Sequence, residues 1–249
     1  MDETPASVTE DHVLGGKVTL RQPAKGYRAG LDAALLAAAC DAKPGEAVID
    51  VGCGVGAVML AAAARRPGVR FVGIERDPAA LALARANIAA NGLEGRVEAL
   101  EGDIAAPGAR CATRFDAALS NPPFFDDRAA LRGPDPAKEA AFIADAGLGV
   151  WVGYLLRAVR DGGTITVIHR ADRLADLLSL LSAKAGSFQI RPVHPHTDEP
   201  AGRVLVRAVR GGRAPLRLLP ALALHERGGA KHTAEAEAIL RGEADLPWL

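Results

Sequence analysis

Asn121 stands in an unusual setting, SNPPFF, directly after the apolar run FDAALS. A proline cannot donate to a sheet ladder, so a strand that reaches Pro122 and Pro123 must end there. Two prolines also stiffen a stretch of chain that is ordinarily soft and polar. The result is a carboxamide held beside two aromatic rings, Phe124 and Phe125. Such a group suits a built binding pocket. A rigid turn whose phenylalanines plug the core is the plainer alternative.

A second cluster, VIDVGCGVG, places Asp50, Gly52, Cys53, Gly54 and Gly56 at the end of an earlier apolar run. Glycines between a strand and a helix let the backbone turn sharply and approach a ligand with no Cβ in the way. The spacing Gly52-x-Gly54-x-x-Ala57 also fits the dinucleotide fingerprint of dehydrogenases. Two further acids follow at strand ends. Glu75, with Arg76 beside it, closes RFVGIE, where a carboxylate reaches ribose hydroxyls. Asp103, in ALEGDIA with Ile104 next to it, is placed to accept from an adenine amino group. A single acid of this kind is as readily a helix cap, but three at consecutive strand ends point to an adenosine-containing cofactor. Cys53 reads as a small packing residue within the loop.

These residues need strands and helices in alternation to position them. β-rich runs recur at 46–51, 70–75, 96–100, 115–120, 164–169, 188–193 and 203–209. In ERDPAALALARANIAANG, Asp77 is an N-cap and Pro78 suits the first helical position. Leu81, Ala84 and Ile88 share a face, and Asn91-Gly92 ends the helix. Near-continuous apolar strands separated by helices predict a parallel sheet covered on both faces. Only HPHTDEPAG separates the last two strands, too short for a parallel crossover, so they pair antiparallel. The expected fold is α/β and Rossmann-like, with a seven-stranded, mostly parallel sheet and one antiparallel strand. Residues 1–45 read as an N-terminal extension, a short strand and helix packing on the core, and 46–249 as the main domain.

Composition narrows the function classes. The chain has 249 residues, 49% of them apolar, enough for a sizeable core. No apolar stretch approaches the roughly 20 residues of a membrane span. The acidic, polar opening MDETPASVTEDHVLGG is unlike a signal peptide, and a cytoplasmic location is expected. Cys40, Cys53 and Cys111 are too far apart for a metal motif and odd in number. The 30 basic and 30 acidic side chains cancel, which excludes a globally basic nucleic-acid binder. The balance is uneven along the chain, since residues 203–231 hold seven Lys/Arg and one acid. Arg207, Arg210 and Arg213 belong to this stretch and read either as an RNA-facing surface or as a solvated rim. His194-Pro195-His196 reads as a surface turn rather than a metal site, and Trp151 with Tyr154 as a core helix face.

In this order, the glycine loop, the acid after the second core strand, the acid after the third and Asn-Pro-Pro-Phe after the fourth resemble class I S-adenosylmethionine-dependent methyltransferases. The resemblance covers about residues 18–210. It implies S-adenosyl-L-methionine as cofactor, with 50–56 cradling its methionine part. Glu75 would hold the ribose, and Asp103 with the Ile104 backbone would read the adenine. In methyltransferases with this motif, NPPF marks transfer to a nitrogen conjugated with a planar system. Asn121 and the Pro122 carbonyl would accept its N–H bonds, Phe124 would stack on the substrate and Phe125 would pack inward. Nothing equivalent to NPPF is expected in dehydrogenases, which weighs against the dinucleotide reading.

The chain ends extend the likeness, through VTLRQPAKGYRAGLDAALLAAAC and LALHERGGAKHTAEAEAILRGE. They resemble bacterial tRNA adenine-N6 methyltransferases acting next to the anticodon of a valine tRNA. Leu31 stands where that group carries a threonine, and His232-Thr233 where it often carries Tyr-Thr. The resemblance implies RNA, in particular tRNA, as partner, with no membrane and no metal. Guanine-N2 methylation of rRNA and glutamine-N5 methylation of a protein remain open. For the latter, about 45 residues before the first core strand are few for a separate substrate-binding domain.

Overall fold

The computed structural model describes residues 7–25, 28–106, 114–123, 147–228 and 230–249. It opens with an antiparallel hairpin, β1 (Val8–Val13) and β2 (Val18–Pro23), followed by α1 (Leu31–Ala38). The alternating core then runs through β3 (Ala47–Val51), α2 (Ala57–Arg65), β4 (Arg70–Glu75), α3 (Pro78–Ala90), β5 (Val97–Glu101) and β6 (Phe115–Ser120). After it come α4 (Leu148–Ala158), β7 (Val159–Arg170), α5 (Leu174–Leu181), β8 (Ala185–His194) and β9 (Arg203–Arg210). The short β10 (Arg217–Leu218) and β11 (Leu222–Ala223) and the helix α6 (Ala234–Leu240) complete the chain.

The main sheet has the order β10-β8-β9-β7-β6-β3-β4-β5. Strands β5, β4, β3, β6 and β7 run parallel, and β9 lies antiparallel to both β7 and β8. This is the expected mostly parallel sheet with one reversed strand. Two further short strands widen it to nine, because β10 and β11 both pair parallel with β8. Pro215 and Pro220 break their stretch of sequence into pieces too short to register as strands.

Helices cover both faces, as a sheet apolar on each side requires. On one face Leu35 and Leu36 of α1, Met59 and Leu60 of α2 and Phe71 of β4 are buried together. On the other, Leu155 of α4 and Leu177 and Leu181 of α5 close over Ile49, Ile165 and Val206. The α3 punctuation follows the sequence. The Asp77 carboxylate accepts from the backbone N–H of Ala79 (2.8 Å) and Ala80 (3.2 Å), Pro78 occupies the first turn, and Leu81, Ala84 and Ile88 are buried.

The hairpin and α1 share the first of these cores. Asn91 Oδ1 accepts from Thr19 N (2.9 Å) and its Nδ2 donates to the Thr19 carbonyl (2.8 Å). At the far end of α1, the Trp248 indole N–H donates to the Ala39 carbonyl (2.7 Å). No helix among the described residues is long and apolar enough to cross a membrane.

Candidate active site

Strand register brings the suggestive residues to one edge. Val51 pairs with Ser120 on one side and with Ile74 on the other, while Glu75 pairs with Glu101. The carboxyl ends of β6, β3, β4 and β5 are therefore level, and Asn121, Gly52, Glu75 and Asp103 follow one another along it. In open α/β sheets this edge is where ligands bind. Ser120, fully buried, reinforces the alignment: its hydroxyl donates to the Val51 carbonyl (2.9 Å) and ties the residue before Asn121 to the residue before Gly52.

The glycine loop is built by backbone geometry. Gly52 and Gly54 have φ of +70° and +55°, in the left-handed region that side chains with a Cβ rarely enter. A Cβ on Gly54 would meet nothing within 4 Å, so the loop presents open backbone there. Beneath Gly52 the space is filled, because a Cβ would come within 2.2 Å of the Trp151 ring. Trp151 and Tyr154 lie on a core helix face as expected, Tyr154 buried in the core and Trp151 packed against it, and the Trp151 ring is also the floor of the loop. Cys53 is buried with its sulfur against Gly73 of β4, and burial pushes its thiol well above the ordinary range.

Glu75 organises the loop from the neighbouring strand. Its Oε2 accepts from Gly54 N (2.9 Å), and its Oε1 from the backbone N–H of Arg76 and Asp77 (2.8 Å each). These occupy three of a carboxylate's roughly four lone-pair directions and leave room for a further hydroxyl. Asp103 is exposed after β5, with one oxygen accepting from Ala105 N (2.8 Å), and Ile104 is buried beside it. An adenosine-bearing ligand fits this set: open backbone at Gly54, a fixed carboxylate at Glu75 and an exposed one at Asp103.

Three expectations need correction. Asp50 lies under the loop and is only 1% exposed. Its Oδ2 accepts from Met59 N (3.2 Å) at the start of α2, and burial raises its pKa to about 7. It supports the turn from below instead of reaching the ligand. Arg207 and Arg210 make no common surface, since residues three apart in a strand point to opposite faces. Arg207 pairs with Asp41 at the end of α1 (2.8 Å). Arg210 pairs with Asp161 (2.8 Å) and donates to the carbonyls of Leu156 (2.7 Å) and Val159 (2.6 Å). Arg213 alone of the three is exposed.

Phe124 and Phe125 lie outside the described residues. Pro122 is buried and Asn121 and Pro123 half-buried. The sequence reading passed over Asn87, which is fully buried at the junction of α3, β2 and the loop. Its Oδ1 accepts from Arg21 N (2.8 Å), and its Nδ2 donates to the carbonyls of Arg21 and Val55 (2.9 Å each). The signal was the pair Asn87 and Asn91, four apart on a helix face otherwise apolar.

Residues 28–146 match the family model described as methyltransferase small domain. A tRNA1(Val) (adenine(37)-N6)-methyltransferase of Porphyromonas gingivalis is 34% identical over 158 residues, 60% of this chain and 61% of that protein. A release factor glutamine methyltransferase of Mycolicibacterium smegmatis is 32% identical over 177 residues, 67% of this chain and 61% of the other. The matched stretch thus spans about three fifths of each of these relatives. A solved structure from Agrobacterium tumefaciens, described as a predicted O-methyltransferase, superposes with a TM-score of 0.70 at 26% identity, covering 86% of this chain and 98% of that one. Sheet order and superposition agree that the chain has the Rossmann-like class I methyltransferase fold, and residues 28–146 within it match the methyltransferase small-domain family.

Proposed function

We propose that the protein transfers a methyl group from S-adenosyl-L-methionine to an exocyclic amino nitrogen of an RNA base, adenine N6 of a tRNA. The observation that carries this reading is Asn121-Pro122-Pro123 at the end of β6, held level with the glycine loop by the β3–β6 ladder, which the Ser120–Val51 hydrogen bond reinforces. The tRNA adenine-N6 relative supports the choice of substrate. Residues 52–56 and Glu75 would hold the methionine and ribose ends of the cofactor, with Asp103 and Ile104 at its adenine. The cofactor supplies an electrophilic methyl group.

An exocyclic amine on a heterocycle is a poor nucleophile because its lone pair is delocalised. Asn121 Oδ1 and the Pro122 carbonyl would accept its two N–H bonds and turn the lone pair toward the loop. The same oxygens stabilise positive charge developing on nitrogen, a contribution that preorganised dipoles make efficiently. Orientation by the rigid proline pair supplies much of the remaining acceleration. No strong base is needed, since the methylated nitrogen is acidic. Such a substrate would be met in the cytoplasm.

The test uses total tRNA and rRNA from a strain lacking the gene, incubated with the protein and labelled S-adenosylmethionine and digested for nucleoside mass spectrometry. N6-methyladenosine in tRNA is the expected product. Label on guanine N2, or on a glutamine peptide and no RNA, overturns this substrate.

A further inference from the structure

A cavity of about 430 Å³ opens at the same edge of the sheet, beyond β7 from Asn121. Leu31 and Asp32 at the start of α1, Val193 at the end of β8, Arg203 at the start of β9, and Leu224 and His225 after β11 line it. The strand order from β6 is β7, β9, β8. At about 4.8 Å per strand, the cavity lies roughly 10–15 Å from the end of β6. That distance is within reach of a neighbouring nucleotide in an unstacked loop.

The lining has the chemistry of a site for a planar heterocycle. Leu31, Val193 and Leu224 give apolar walls, and a few polar groups converge among them, the usual make-up of a small-molecule pocket. Asp32 offers a carboxylate, held 3.0 Å from Arg203 Nε. The His225 imidazole lines the cavity with the tilted His196 ring 5.6 Å away, and it is itself fixed. Its Nδ1 lies 2.6 Å from the Lys231 carbonyl, and its ring stacks on His232 with centroids 5.1 Å apart. Arg28, also in the lining, and Arg203 bring two guanidiniums with about one-third of each side chain exposed.

We propose that this cavity receives the base of a nucleotide next to the methylated one, stacked on His225, with Asp32 accepting from the base and Arg28 and Arg203 facing its phosphate. The inference rests on the RNA reading above. Its physical basis is the cost of extrusion: drawing the target base to Asn121 unstacks its neighbour as well, a few kcal/mol of lost stacking. A second stacking platform recovers part of that cost and fixes the register of the strand.

The test uses synthetic tRNA1(Val), intact or with a single abasic site on either side of the target adenosine. His225→Ala is expected to raise KM for the intact tRNA about 5- to 150-fold, the range of one base–aromatic stack. KM should rise more than kcat falls, and cofactor affinity by calorimetry should hold. His225→Phe should restore KM, because a ring of similar shape still stacks. One of the two abasic tRNAs should show the same loss with wild-type protein and no added loss with His225→Ala, as expected of two changes to one contact. A KM for His225→Ala within twofold of wild type, failure of His225→Phe to rescue, or additive losses overturn the cavity assignment. If wild type methylates no intact tRNA the RNA reading fails too, and that is evident before any variant is compared.

Discussion

In the proposed reaction Asn121 and Glu75 have separate roles, and their substitutions should fail differently. Asn121→Ala removes one acceptor for the developing charge and should lower kcat on the order of a hundredfold or more. Cofactor affinity should stay near wild type, measured by calorimetry beside single-turnover rates. Near-normal turnover would remove Asn121 from the mechanism. Glu75 binds three backbone N–H groups besides its proposed role at the cofactor ribose. Glu75→Ala should therefore weaken cofactor binding by about 1.5–3 kcal/mol and also lower Tm. A drop in affinity with Tm unchanged would mean those backbone bonds do not matter. Asp50 gives a pH signature. Burial raises its carboxyl from the ordinary value of 3.8 to about 7. Between those values the folded state holds a proton that the unfolded chain has lost, so rising pH destabilises the fold through this window. The cost is complete above about 7 and absent below 3.8. Asp50→Asn should lose this part of the pH dependence and gain on wild type most at pH 8. Parallel melting curves from pH 4 to 8 would exclude it.

At the scale of elements, the loop between β3 and α2 depends on contacts from helices distant in sequence. The Trp151 indole of α4 fills the space under Gly52, and Asn87 of α3 bonds to Val55 within the loop. Gly52→Ala would put a methyl group 2.2 Å from the Trp151 ring while holding an alanine at φ +70°. The backbone strain alone is about 1–3 kcal/mol, and the clash adds to it. Stability and cofactor affinity should both fall. Adding Trp151→Ala should recover the clash component but not the strain, so the double variant should be less impaired than the sum of the singles. Strict additivity in denaturant melts would show that the two residues do not meet. Val51 and Ser120, by contrast, are aligned by the ladder itself, and the Ser120 hydroxyl only reinforces that.

For the whole molecule, a formal charge of zero makes the distribution of arginines decisive for the proposed RNA binding. Arg207 and Arg210 are largely buried, with side chains 15% and 13% exposed, and each is held by a carboxylate on its own face of the sheet. Converting both to glutamine should lower Tm and leave the salt dependence of tRNA binding nearly unchanged. Arg213→Gln, at an exposed position, should behave in the opposite way. If Arg213 neutralises one phosphate, the slope of log affinity against log salt should fall by about 0.7–0.9 with stability intact. Filter binding at several salt concentrations separates the two. A slope that follows Arg207 and Arg210 would require those ion pairs to open on binding.

Local chemistry was legible in the chain alone. Strand after strand announced itself by apolar runs, α3 by Asp77, Pro78 and Asn91-Gly92, and the reversed β9 by a connection too short to cross over. The glycine loop, Glu75, Asp103 and SNPPFF could be assigned to one edge because parallel strands feed helices at their carboxyl ends. Contacts between segments far apart in sequence could not be read, since no local pattern encodes which side chain arrives from elsewhere. Thus only the folded structure put Trp151 beneath Gly52 and tied Asn87 to the loop. It also buried Asp50 and drew Arg207 and Arg210 to opposite faces of a sheet where the sequence showed only a run of positive charge. The cavity at His225 is of the same kind, because its walls come from α1, β8, β9 and the segment after β11, which meet only when the sheet is complete.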